Sequence, residues 1–426
     1  MGLFSFFMFL CRFRKLFIVF LLNFIFFWNF ILHAKDVKYV NTSIELFNAL
    51  NYSKNGDTII LKSGVYVGSF FIKKSLNLLG DGFVLLTSNR SYNVLNISSN
   101  KVTIKNIIIY NSGRKIDKDT SDSCIYVNRG SSNIKILDNF FTECGFGIWL
   151  DDSSYNYLLK NIFVGTVIIP LAERGNTIQL YRNDNTVISD NFIINGRDGV
   201  FISNSKEVSI NENIFINARF GIHYMFSHKC SVLSNMVSDS LLGIAIMYSK
   251  YVDLMNNYSY LNTNHGLFFI EAVYSRMLEN KSLYNINGIS LGGSYYNDIV
   301  NNDVIKNNVG IKASNVRNEN LVYKNNFISN MLQIQFLYSN TTVWNYKKTG
   351  NFWSHYLGWD LNSDDIGDKK FYVTNISDML VYSYPVLRVM FNSPALVLLQ
   401  KIENQFPSFR MSSVIDNYPL MRPVIW

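Results

Sequence analysis

The apolar and polar positions of this chain repeat at a fixed interval. A small residue, an aliphatic residue and a short alternating run read GVFISNS from Gly199, GIHYMFS from Gly221, GIAIMYS from Gly243 and GLFFIEA from Gly266. The pattern continues as GISLGGS from Gly288, GIKASNV from Gly310 and QIQFLYS from Gln333, with start-to-start steps of 22, 22, 23, 22, 22 and 23 residues. CIYVNRG from Cys124, GIWLDDS from Gly147 and TIQLYRN from Thr177 fit the same register. Two upstream steps are 30 residues long, which places insertions around Asn111 to Ser121 and Phe163 to Gly175. Asn139, Asn161, Asn191, Asn213, Asn235, Asn257, Asn280, Asn302 and Asn325 recur with nearly the same period. Asn tolerates the left-handed backbone of tight corners, and its amide can hydrogen-bond along a stack.

A coil of about 22 residues fits three short strands and three turns, and is too short for a helical repeat. Its strands are rich in Ile, Val, Phe and Tyr, which suits sheet. The Leu spacing of leucine-rich repeats is missing. The predicted fold is therefore all-β, a right-handed single-stranded parallel β-helix of the pectate-lyase type, with coils rising about 4.8 Å each. The boundaries read as an export segment at 1–34, an N-terminal cap and first coils at 35–90, β-helix coils at 91–345 and a C-terminal capping or docking segment at 346–426. The cap is predicted to hold a helix over Ser43–Leu50, with Ile44, Phe47 and Leu50 at helical spacing. Such a cap blocks end-to-end stacking.

Alternation along each strand sorts the side chains. The first position after the small residue (Val200, Ile222, Ile244, Leu267, Ile289, Ile311, Ile334) and the third (Ile202, Tyr224, Ile246, Phe269, Leu291, Ala313, Phe336) are predicted to face the core. The second and fourth then face out. Outward positions include Phe201, Phe268 and Ile270, and they place His223 and Met225 on one face with Met247 one coil above Met225. His228 and Cys230 follow at the next corner. A His-Met-Met cluster suits a soft ion such as Cu(I). Equally, methionines cover adaptable docking surfaces. Either way this face is expected to be a contact surface.

Composition narrows the class. Of 426 residues, 48% are hydrophobic and 16% charged, and the formal charge is +8. Arg12, Arg14 and Lys15 carry three of those charges ahead of a Leu16–Leu32 apolar stretch and Ala34, the pattern of a secretory signal. A cleaved signal and a retained anchor both remain open, and both put the rest of the chain outside the inner membrane. No dense basic run points to nucleic acid. Beyond Cys11 there are three cysteines, Cys124, Cys144 and Cys230, so at least one is free or pairs with another chain.

Three further segments carry candidate chemistry. Asp360, Asn362, Asp364 and Asp368 resemble positions 1, 3, 5 and 9 of a calcium loop, although Asp365 replaces the usual glycine. Asp151, Asp152, Asp184, Asp198, Arg182 and Arg197 could serve a carbohydrate-active β-helix, yet no acidic rows stack across adjacent coils, and an enzyme is not expected. Ser393-Pro394 opens an amphipathic helix with Leu396, Leu398, Leu399, Ile402 and Phe406, where Leu396, Leu399 and Phe406 are predicted to cap the solenoid or dock a membrane partner.

Several segments resemble the NosD family, the periplasmic maturation factors of nitrous oxide reductase. They are GRDGVFISNS from Gly196, ARFGIHYMFS from Ala218, GIAIMYS from Gly243, GNFWSHYLGWDLNSDDIGD from Gly350, SPALVLLQ from Ser393, QFP from Gln405 and VIDNYPLMRP from Val414. The C-terminal words carry most of the specificity, because no generic solenoid requires them in that order. The resemblance implies a solute-side subunit of an ABC-type complex with an ATPase and a membrane permease. It also implies cooperation with a copper-chaperone lipoprotein and help in assembling the copper–sulfide centre of nitrous oxide reductase. No P-loop occurs in the chain itself, so ATP would be hydrolysed elsewhere.

Overall fold

The computed structural model describes residues 36–115, 122–315, 319–337, 342–373, 380, 384–390, 393–406 and 414–426. The expected export segment lies outside these residues. From Val37 onward the chain winds into a parallel β-helix. Its first face is a 12-stranded sheet running from Phe70–Ile72 to Leu332–Leu337. The other faces are made mostly of short strands, such as the three-residue Val187–Ser189 and Phe192–Ile194, paired in parallel with their equivalents one coil away.

The core follows the predicted alternation. Val200, Ile222, Ile244, Leu267, Ile289 and Ile311 are buried, as are Ile202, Tyr224, Ile246, Phe269 and Leu291. The small residue opening each repeat answers to close coil-to-coil approach. A Cβ on Gly243 would lie 2.3 Å from the Gly266 carbonyl oxygen, and one on Gly199 would lie 2.5 Å from that of Gly221.

The asparagines form a continuous buried ladder. Asn235 donates from its backbone N–H and from Nδ2 to Asn257 Oδ1 at 2.9 and 3.0 Å, while Nδ2 also reaches the Ile210 and Leu233 carbonyls. The left-handed conformation falls one residue earlier than expected, on Asp190, Glu212, Ser234, Asn256 and Glu279. The ladder residue instead turns inward to satisfy the corner's backbone groups. The ladder runs on through Asn351 and ends at Asp416, whose carboxylate accepts from Asn351 N at 2.8 Å and Trp353 Nε1 at 2.9 Å. Burial pushes the Asp416 carboxyl up despite these donors. The last stretch of chain thus returns to close the stack.

The N-terminal helix spans Ser43–Tyr52, capped by the Thr42 hydroxyl, and buries Leu46, Ala49 and Leu50. Ile44 and Phe47, expected on the inner face, are exposed, although Phe47 still rests on Phe70 with ring centroids 4.7 Å apart. The helix is turned toward the residues flanking Leu46 because the wall it meets is the first coil. Cys124 and Cys144 are disulfide-bonded across consecutive coils, and Cys230 is a buried free thiol. Burial raises the Cys230 pKa to about 12.

Candidate functional site

The outward side of the 12-stranded sheet carries three columns of side chains. Parallel register aligns Asp198, Phe220, Leu242 and His265 in one column and Phe201, His223, Ala245 and Phe268 in the next. The third holds Ser203, Met225, Met247 and Ile270. Met225 and Met247 are direct cross-strand partners, about 4.8 Å apart between strands. His223 lies two residues before Met225 on the same face, about 6–7 Å along the strand.

This face is not open in the way alternation suggests. Phe220, Leu242 and Ala245 form a second apolar cluster outside the main core, with Met247 and Phe268 packed against it. His223 is only 6% exposed. Its ring stacks on Phe220 at 4.2 Å between centroids and meets the Phe201 ring edge-on at 4.9 Å. Met225, Met247, Phe201, Phe268 and Ile270 are half-buried. The predicted columns therefore align on one face, with His223 covered by aromatic rings and the two methionines half-buried.

A buried ion pair anchors the cluster. Nδ1 of His223 lies 3.0 Å from Asp198 Oδ2, and Arg219 binds both oxygens of Asp198 at 2.8 Å. Burial pushes the Asp198 carboxyl up, but the His223 and Arg219 hydrogen bonds outweigh it and hold the group below its ordinary value. Nε2 of His223 is buried without a hydrogen-bond partner. A buried polar atom left unpaired costs about 1–3 kcal/mol, so its retention points to a use. His265 shows the same diagonal contact one coil to the next, with Nδ1 2.7 Å from Ser290 Oγ and the ring stacked on Phe268.

The remaining predicted residues fall elsewhere. His228 does not join the cluster: the corner at Phe226 and Ser227 turns the chain, and His228 opens the strand His228–Leu233 on another sheet, exposed and beside Lys250. Among Asp360, Asn362, Asp364 and Asp368, the carboxylates face the loop's own backbone. Asp365 N and Asp364 N donate to Asp360, Ile366 N to Asp364 and Leu361 N to Asp368, at 2.8–3.2 Å. Carboxylates that cap their own loop give no separate sign of a calcium ion. The C-terminal helix spans Pro394–Gln405 with Ser393 as N-cap. Leu396 is buried and Leu399 half-buried, whereas Phe406 is exposed. Asp198, read as a possible catalytic acid, is fully buried in the ion pair. Its link to His223 was missed because it depends on a diagonal between columns, 25 residues apart in sequence.

Donor types decide what the cluster can hold. Among the described residues, no three His, Cys, Asp or Glu side chains gather as a metal site. One imidazole nitrogen with two thioethers is a soft set, suited to Cu(I) rather than to harder divalent ions.

The coils define a parallel β-solenoid whose 12-stranded sheet carries the aromatic, histidine and methionine columns on its outer side. The model of NosD, described as a periplasmic copper-binding protein, matches residues 164–358, and a right-handed β-helix region matches 84–237. The chain is 34% identical over 380 residues to a probable ABC transporter binding protein NosD of Pseudomonas aeruginosa, covering 85% of this chain and 87% of the relative. It is 32% identical over 383 residues to the protein of that name from Stutzerimonas stutzeri, covering 85% and 86%. The chain belongs to the NosD family. Its backbone is also similar to a family 28 exopolygalacturonase of Yersinia enterocolitica, with a TM-score of 0.53 at 11% identity over 71% of this chain and 77% of that one, a likeness of fold alone.

Proposed function

We propose that this chain is a periplasmic maturation factor that assists assembly of the copper centre of nitrous oxide reductase. In this reading it works beside an ABC-type ATPase and permease and receives Cu(I) from a copper-chaperone lipoprotein. The cargo ion is held between Nε2 of His223 and the sulfurs of Met225 and Met247. The observation that carries this reading is the unpartnered, buried Nε2 of a histidine that shares its strand face with Met225, itself the cross-strand partner of Met247. Family membership supports the copper and transporter context.

His223 supplies the Nε2 lone pair, and the methionines supply polarisable sulfur that can shift aside and return. Phe201, Phe220 and Phe268 exclude water from the ion. The chain itself performs no bond chemistry in this account. The C-terminal helix leaves Val397, Leu398, Ile402 and Phe406 exposed, an apolar surface for the membrane partner.

Deleting the protein in a denitrifying host tests the role. Nitrous oxide reductase is expected to be exported but to lack its catalytic copper centre, as read by metal content and absorption spectra. A fully metallated enzyme in the deletion strain would contradict it. A carbohydrate-active reading rests on the solenoid shape alone. It would need a catalytic acid other than Asp198, both of whose oxygens are engaged.

A further inference from the structure

We infer that Asp198 is the positioning residue of the copper site, fixing His223 as the Nδ1–H tautomer so that Nε2 is the free lone pair. The inference rests on the copper reading above and adds to it a residue that faces no ion.

The geometry carries the assignment. A carboxylate only accepts hydrogen bonds, so the 3.0 Å contact requires the proton on Nδ1. Asp198 cannot swing away, because Arg219 grips both of its oxygens and its side chain has no exposed surface. The stack on Phe220 and the edge contact with Phe201 fix the ring plane. A ligating histidine commonly donates its other N–H to a carboxylate, which sets the tautomer and makes the ligating nitrogen more basic. Here that outer partner is in place, one coil away from its histidine, with the ligating nitrogen kept buried and unpaired at a cost. His265 provides the internal contrast. It occupies the neighbouring column but faces a serine hydroxyl, which can donate or accept and so fixes neither tautomer.

Selective 15N-histidine labelling of the full chain reads the tautomer directly through two- and three-bond 15N–1H correlations. Wild-type His223 is expected as Nδ1–H, and finding Nε2–H overturns the inference whatever the protein's copper affinity. Asp198→Asn places an amide that can donate to Nδ1. It is expected to move the proton to Nε2 and to weaken Cu(I) binding, measured by competition with a chromophoric chelator, about 10–100-fold. Asp198→Glu is expected to restore both. Wild-type Cu(I) affinity in Asp198→Asn overturns the positioning role. Should Asp198→Asn fail to fold, the wild-type tautomer still decides. Nδ1–H in a wild-type protein that binds no Cu(I) sinks the copper reading while leaving the Asp198 clamp standing, so the two failures are distinct.

Discussion

His265 shows what the outer face does to an ionisable side chain. Burial, aided by the nearby Lys312 charge, lowers its pKa to about 4. Between that value and the ordinary 6.5 the unfolded chain binds the extra proton and the folded one does not. Stability is therefore full above pH 6.5 and falls as pH drops toward 4, by about 3 kcal/mol in all. Urea unfolding at pH 7 and 4.5 checks this: His265→Gln should show a shallower loss than wild type, and an equal loss would contradict the assignment. The column positions of His223, Met225 and Met247 were legible from alternation, since a strand's period of two admits no other arrangement once the aliphatic positions are inward. Burial of the same residues was not. It arises from Phe220, Leu242 and Phe268, whose roles depend on coil-to-coil neighbours rather than on neighbours in sequence.

Among the elements, the asparagine ladder carries the heaviest polar load. Asn257 donates to the Val232 and Met255 carbonyls and accepts from Asn235 N and Nδ2 at 2.9 and 3.0 Å. Asn257→Ala strands several buried groups at once and is expected to cost at least about 2 kcal/mol in urea unfolding. The exposed Asn308→Ala serves as control, expected within about 0.5 kcal/mol of wild type. Equal effects would remove the ladder from its structural role. The ladder's period was plain in the sequence because each coil repeats the same corner. Its termination at Asp416 was not, because that contact closes over a sequence separation of 65 residues. The N-terminal helix tells a similar story. Its existence followed from the helical spacing of Ile44, Phe47 and Leu50, but its inner face was set by the coil it meets.

For the molecule as a whole, the ends and the crosslink between Cys124 and Cys144 matter most. Residues 414–426 are stitched into the last coils, with Val424 and Asn326 exchanging hydrogen bonds at 2.8 and 2.9 Å. A docking role for the helix Pro394–Gln405 is thus best tested by substituting its exposed side chains, since truncation would also remove Asp416. The Cys124–Cys144 disulfide closes a loop with a sequence separation of 20. Its reduction should lower unfolding free energy by about 3 kcal/mol, read as a fall in the urea midpoint with dithiothreitol, and an unchanged midpoint would contradict a stabilising role. The 22-residue period specified the solenoid, because each coil can bury its apolar face only against the next. A partner surface needs more than a period, because it depends on which side chains each coil leaves uncovered. The central claim, that the outer sheet holds Cu(I), is tested most directly by anaerobic Cu(I) titration of the protein beside a His223→Ala, Met225→Leu, Met247→Leu variant. One equivalent bound by the wild type and lost in the variant is the predicted result; no binding to either, or equal binding to both, would contradict it.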